Sequence, residues 1–329
     1  MSSSIPKMTT KRRFTSVDVA RASGLSRATV SYVLNNDPRQ TIPPETRERV
    51  LKAAEKLGYR PSAAARALRS GYSRLILGIL QFEQVDPNLA RDLHYLEAGL
   101  AAREFTLIWH VGTHVVGSLH PSANLAPAVV IAFFHEADSK FAAFLQQFDV
   151  PVLSIINMTV REAVGRAQVH YLLEKGKSRI VYAAPERPDV QFLSQTRLSG
   201  VQQECARLGL KPPFVQVIPS SRSEARKAIN KILNRRALPL GICCYNDEVA
   251  FAVLAALSDA GVSVPESVAV IGCDDIPLAQ FSQPPLTTIA FDSRQFLDLL
   301  IENILAASNG ESPAEIPPTA LSVITRGSV

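Results

Sequence analysis

Beyond residue 74, short apolar runs alternate with longer stretches of helical periodicity, and this alternation narrows the available folds more than any other feature. The runs cover residues 75–80, 106–110, 128–133, 152–156, 179–183, 240–245 and 268–272. Helical stretches at 90–104, 140–148, 161–175, 197–208, 223–234, 248–260 and 294–307 separate or follow them. Strands joined through helices need crossover connections, so they pair in parallel sheets with helices on both faces. The roughly 255 residues of this region suit two doubly wound lobes better than one. No internal repeat stands out.

In such sheets ligands bind beyond the carboxyl ends of the strands. Polar or aromatic side chains stand at several of those ends: Gln81-Phe82-Glu83, Trp109-His110, Asn246-Asp247 and Asp274-Asp275. A cleft between two lobes would gather them, and closure around a ligand would be a hinge motion. Asn246 also suits a helix N-cap, with Asp247 and Glu248 in the first turn.

The first 74 residues have a different character. They hold 15 Lys and Arg against 5 Asp and Glu, whereas the remainder holds 20 against 25. A small basic head on a larger acidic body is the charge layout of a nucleic-acid-binding module joined to something else. Within the head, Thr15 and Asp18 form a variant capping box ahead of Val17, Val19 and Ala20. Gly24 stops that helix, Ser26 restarts the chain, and Val30, Val33 and Leu34 form an apolar stripe. Two short helices around a glycine turn suit a helix-turn-helix. Arg27, Ala28, Ser31 and Tyr32 lie off the stripe, near the start of the second helix, the part that meets base edges in this motif. Pro43-Pro44-Glu45 opens a third helix, with Gly58 as its stop. Residues 62–68 read as a short Ala-rich helix with one large apolar residue, Leu68, which has little to bury alone.

These residues identify the chain as a member of the lactose-repressor (LacI/GalR) family of bacterial transcription regulators. The likeness runs from about Phe14 to Arg326 and rests on VDVARASGLSRATVSYVLN and TRERVLKAAEKLGYRPSAAARALRSG in the head. In the body it rests on RLSGVQQECARLGL, CCYNDEVAFAVLAAL, VAVIGCDDIPLAQFSQPPLTTI and SVITRGSV. The resemblance implies an all-α helix-turn-helix head with a hinge helix, joined to an α/β, two-lobed, periplasmic-binding-protein-like effector domain. The expected divisions are a disordered extension at 1–13, the helix-turn-helix domain at 14–60, the hinge and linker at 61–74, and the effector-binding and dimerisation domain at 75–329. Lobe 1 is expected at about 75–158 and 291–318, and lobe 2 at about 159–290 and 319–329.

By the same resemblance Arg27, Ala28 and Tyr32 read bases. Leu68 wedges into the minor groove, and Ala65 packs two hinge helices together. An apolar wedge unstacks a base step, and arginine is the natural reader of guanine. Thr15, Ser26, Thr29, Arg39 and Arg60 are phosphate contacts that position the head. Arg197, Asn246 and Asp274 fall at effector-contacting positions, with Phe82, Trp109, Ser220, Arg222 and Phe291 as weaker members of that set. The expected partners are double-stranded operator DNA, a second copy of the chain, and a small effector that is a sugar, a nucleobase or an organic anion.

The first lobe departs from the family pattern. Asn88 stands where an aromatic is usual, Ile156 where an acid is usual, and the stretch after it is short by roughly ten residues. Losing polar partners weakens recognition of sugar hydroxyls. The effector is then less polar than a sugar, or anionic; a regulator with a degenerate pocket and no effector is the alternative.

Several classes are disfavoured. No G-x-S-x-G, G-x-x-x-x-G-K-[ST] or G-x-G-x-x-G occurs, so an enzyme is not expected and no cofactor is called for. His110 and His114 are four apart, but Gly112 argues against one helix face, so no metal site is expected. Cys205, Cys243, Cys244 and Cys273 form no C-x-x-C pair and read as buried small hydrophobes. The start has no apolar signal segment and no run of 18 apolar residues exists, so a cytoplasmic protein, nucleoid-associated when on its operator, is expected. A cytoplasmic solute-binding protein is the alternative from another class; the basic head speaks against it.

Overall fold

Three helices build the head around a small apolar core. The structure is a computed structural model that describes residues 14–34, 40–59, 73–112, 125–133, 139–154 and 158–329. The extension at 1–13, Arg39, Arg60, Ala65, Leu68, His114 and Ile156 lie outside the described residues. The chain divides into two compact units after Ser73.

In the first unit, α1 (Ser16–Ser23) starts where the Asp18 carboxylate accepts hydrogen bonds from both the backbone N–H and the hydroxyl of Thr15, each at 2.8 Å. It ends at Gly24, whose φ of 66° is the left-handed conformation that favours glycine. Ser26 then caps α2 (Arg27–Leu34), its hydroxyl accepting from the Thr29 N–H at 3.0 Å. The third helix, α3 (Pro44–Leu57), has proline rather than a side-chain cap at its start. Val19, Ala20, Val30, Val33, Val50, Ala53 and Ala54 form the buried core. Arg49 of α3 donates to the Ser23 carbonyl at 2.8 Å and so ties α3 to the end of α1.

The second unit holds two sheets. The first contains β1 (Leu75–Leu80), β2 (Thr106–Val111), β3 (Val129–Phe133) and β4 (Val152–Ser154), all parallel, in the order β2-β1-β3-β4. The second contains β5 (Ile180–Pro185), β6 (Phe214–Ile218), β7 (Leu240–Cys244), β8 (Val268–Cys273), β9 (Thr287–Asp292) and β10 (Ala320–Ile324). Their order is β10-β9-β8-β7-β5-β6, parallel except for the antiparallel β9–β10 pair. Strands β3, β7 and β8 are buried along their whole length, which explains their continuous apolar sequence.

The body helices are α4 (Pro87–Ala101), α5 (Ser139–Leu145), α6 (Met158–Glu174), α7 (Gln191–Arg207), α8 (Arg222–Arg235), α9 (Asp247–Asp259) and α10 (Arg294–Ser308). Each lies on an expected stretch, with two informative differences. Helix α7 starts at Gln191, six residues before Arg197, so Arg197 sits well inside the helix. Helix α4 starts at Pro87 and is capped by Asp86, whose carboxylate accepts from the Leu89 N–H at 2.8 Å. Strands β6 and β9 were not expected. Strand β6 is short, and its Val215 and Val217 are exposed on the sheet edge, so it offers no strong apolar run.

Helices α6 and α7 cross at two glycines. A Cβ on Gly165 would stand 2.1 Å from the Arg197 carbonyl oxygen, and one on Gly200 would stand 2.0 Å from that of Glu162. Only glycine permits so close an approach of two helix backbones. The four cysteines are free and buried.

Candidate functional site

The crossing of α6 and α7 sets up the cleft of the body, because Arg161 lies one turn before Gly165 and Arg197 lies beside it. Arg197 is 2% exposed. Its guanidinium donates to the Tyr245 carbonyl and, at 3.2 Å, to the Asp274 carboxylate. It also stacks 4.6 Å from the centre of the Tyr245 ring. The Arg197 Nε is buried without a hydrogen-bond partner.

Burial alone would make Arg197 easier to deprotonate, but Cys273, Asp274 and the tyrosines around it hold its pKa above the usual arginine value. Burial pushes the Asp274 carboxyl up, and Arg197 opposes that shift. Buried charges persist only when paired in this way. Asp274 and Asp275 both follow β8 with positive φ, 108° and 47°. This strained turn aims Asp274 at Arg197 and Asp275 at Arg326, whose Nη2 lies 2.7 Å away.

A second polar cluster supports the first. Asp247 is 1% exposed and accepts from the Thr288 hydroxyl at 2.5 Å and the Ile276 N–H at 2.9 Å. Burial pushes its carboxyl up to about 7, and the nearby Asp274 adds to the shift.

The wall opposite Arg197 comes from the other sheet. Phe82, Asp86, Asn88 and Phe133 share a cleft with Arg161, Arg187, Arg197, Tyr245 and Asp274. The Phe82 and Phe133 rings meet edge to face at 4.9 Å. The two lobes are latched at the rim: Asp189 accepts from the Glu83 N–H at 2.8 Å, and Arg187 donates to the Gln84 carbonyl at 3.0 Å. Arg187 and Asp189 also pair with each other at 2.5 Å.

Of the residues named from sequence, Phe82, Arg197 and Asp274 come together in this cleft, and Phe291 lines the adjoining pocket. The others stand elsewhere. Asn246 caps α9, accepting from the Val249 N–H at 3.0 Å. Trp109 covers Gly78, where a Cβ would lie 2.1 Å from the indole ring, and its Nε1 has no partner. Ser220 is exposed, and its N–H reaches Glu186 at 3.4 Å. Arg222 is exposed and pairs with Asp259 at 2.7 Å, on α9. In the head, Thr15, Ser26, Arg27 and Ala28 are exposed, while Thr29 and Tyr32 are half-buried.

Arg161, Arg187, Tyr245, Asp86 and Asp92 line the cleft or the adjoining pocket but were not named from sequence. The strand-end rule could have found Tyr245 and Arg187, which follow β7 and β5. Arg161 and Asp92 lie inside helices and carry no local signal.

Among the described residues no group of three metal-binding side chains occurs, and no helix is long and apolar enough to cross a membrane.

Residues 16–62 match the family described as bacterial regulatory proteins, lacI family, and residues 169–329 match the periplasmic binding protein-like domain. Among curated proteins, the chain is 27% identical over 315 residues to the HTH-type transcriptional repressor PurR of Haemophilus influenzae, covering 89% of this chain and 92% of that one. It is 26% identical over 318 residues to the HTH-type transcriptional regulator GalS of Salmonella typhimurium, covering 89% of each. Among solved structures, the lac repressor dimer bound to operator and the anti-inducer ONPF aligns with a TM-score of 0.79 at 21% identity, over 96% of this chain and 99% of that one. A complex of the transcriptional regulator CelR with cellobiose aligns with a TM-score of 0.67 at 21% identity, over 96% and 100%. At these identities the solved structures speak for the fold.

Proposed function

Because the chain belongs to the LacI family of bacterial regulatory proteins, we propose that it is a transcriptional repressor that binds a palindromic operator as a homodimer and responds to a small molecule in the cleft of its body. The observation that carries this reading is the helix-turn-helix. Helix α2 is capped by Ser26 and presents exposed Arg27 and Ala28 at its first turn. That end of such a helix enters the major groove.

Arg27, Ala28 and Tyr32 read base edges in this proposal, and Thr15, Ser26, Thr29, Arg39 and Arg60 contact phosphates. Ala65 and Leu68 supply the hinge that bends the operator. Two copies on a palindrome follow from the match between protein and operator symmetry. The head spans 14–60, the hinge 61–74 and the effector body 75–329.

In the body, Arg197 and Asp274 orient the effector, with Phe82 and Phe291 supplying apolar contact. Opening the Arg187–Asp189 latch separates the lobe walls, so a ligand that prefers one lobe arrangement shifts the balance between them. We assign no catalysis to the cleft, and the protein works in the cytoplasm, where its operator is.

Gel-shift titration against salt tests the reading. Neutralising phosphates releases counterions, so affinity falls steeply as salt rises. Binding that ignores ionic strength, or that fails to distinguish an operator from random sequence, would overturn it.

A further inference from the structure

The cleft and its adjoining pocket meet at one cation. Arg161 lines both. It is half-buried, with its guanidinium carbon 5.1 Å from the centre of the Phe291 ring and 6.0 Å from that of Phe133. Among the described residues no hydrogen bond or ion pair engages it.

The other arginines lining these pockets are already paired. Arg197 pairs with Asp274 and Arg187 with Asp189. Asp86 caps α4, and Asp92 accepts from the Ser293 hydroxyl at 3.0 Å. Arg161 is the arginine of these pockets that no hydrogen bond or ion pair engages among the described residues. Burial and the neighbouring Arg197 both weaken its hold on its proton. A charge so placed gains from an incoming anion.

The adjoining pocket adds the second half of the argument. It opens beside the cleft, with Arg161, Asn88, Leu89, Asp92 and Phe133 lining both. Away from Asn88, Asp92, Arg161, Ser293 and Thr319, its wall is apolar, built largely from Leu93, Leu96, Phe296, Leu297 and Leu300. A sugar would bring hydroxyls to that wall and leave them unpaired, which is costly.

We propose that the effector is an amphipathic carboxylate, its apolar body seated among Leu93, Leu96, Leu297 and Leu300 and its carboxylate on Arg161. This deepens the regulator reading and rests on it. Arg161 acts as the charge selector, Phe133 and Phe291 hold its guanidinium in place, and chain length or ring size is set by the apolar wall.

Titration calorimetry on the full chain tests this with sodium octanoate, 1-octanol, glucose and hypoxanthine as probes. Octanoate is expected to bind, with octanol at least about tenfold weaker because it lacks the charge for Arg161. Arg161→Gln should lose about tenfold for octanoate and leave octanol unchanged. Should Arg161→Gln not fold, the octanoate–octanol comparison on the unaltered chain still decides. Equal binding of octanoate and octanol, or binding of glucose or hypoxanthine in place of octanoate, would overturn the proposal. Gel shifts on the same sample separate the two readings. DNA binding without octanoate binding overturns only the ligand class; octanoate binding without DNA binding supports the ligand class and overturns the regulator.

Discussion

The head and the cleft place their working side chains in opposite ways. In the head a small core of valines and alanines holds three helices, and Arg27 and Ala28 stand free in solvent. In the cleft Arg197 and Asp274 are almost fully buried, and Arg197 is held by a carboxylate, a carbonyl and a ring. The difference follows from what each must meet. DNA brings its own charge to an exposed arginine, so the unbound state costs little. A cation buried as deeply as Arg197 must be stabilised before any ligand arrives, and its neighbours do that. Head residues should thus change binding without changing stability, whereas cleft residues should change both.

The largest expected effect breaks or sustains that contrast directly. Arg197→Met leaves Asp274 buried beside an apolar side chain and should cost about 3–5 kcal/mol of body stability in urea unfolding. Adding Asp274→Asn should recover part of the loss. If Arg197→Met proved neutral, the pair would not be the anchor of the cleft.

Gly165→Ala comes next. Its Cβ meets backbone, which cannot swing aside as a side-chain end can, so overpacking of about 1–3 kcal/mol is expected. The melting temperature of the body reports it. An unchanged value would mean that α6 and α7 can separate freely, and with them Arg161 and Arg197.

Arg27→Ala sharpens the other side of the comparison. It should leave unfolding unchanged and cost about 1–3 kcal/mol on the preferred operator, with one base position relaxed. Gel shifts on single-base operator variants measure this. An equal loss on every sequence would make Arg27 a phosphate contact.

The smallest effect is the most specific to burial. Asp247 titrates near the usual carboxylate pKa when unfolded and at about 7 when folded. Folding therefore takes up a proton between these values, so its contribution is present at low pH and lost as pH rises through 7. The body should gain about 1 kcal/mol between pH 7 and pH 6, and Asp247→Asn should remove that gain. Urea unfolding across this range checks it; an identical slope in the variant would sink the assignment.

Local sequence carried the head well. The Thr15–Asp18 start, the Gly24 turn and the Ser26 cap are each set within a few residues, and the structure shows all three. The doubly wound body was equally legible, because buried parallel strands are written as continuous apolar runs. Even the departure at Asn88 was visible as a missing aromatic.

The cleft was legible only at strand ends. Asp274 follows β8 and Phe82 follows β1, so the rule for doubly wound sheets found them. The same rule drew in Trp109 and Asn246, which the fold spends on covering Gly78 and capping α9. Strand-end position says that a side chain is near the cleft, but not which way it turns.

What the sequence determined by itself is the order of elements, the basic head, and a body of two wound lobes, since each depends on periodicity and local caps. What only the tertiary structure decided is which charges face one another. Arg161 and Arg197 are brought together by a glycine crossing of two helices, and Arg187 reaches Gln84 and Asp189 reaches Glu83 across the lobes. Such contacts join residues far apart in the chain, and no local pattern encodes them. They arise from the packing of whole elements, and that packing also sets Arg161 between the Phe133 and Phe291 rings.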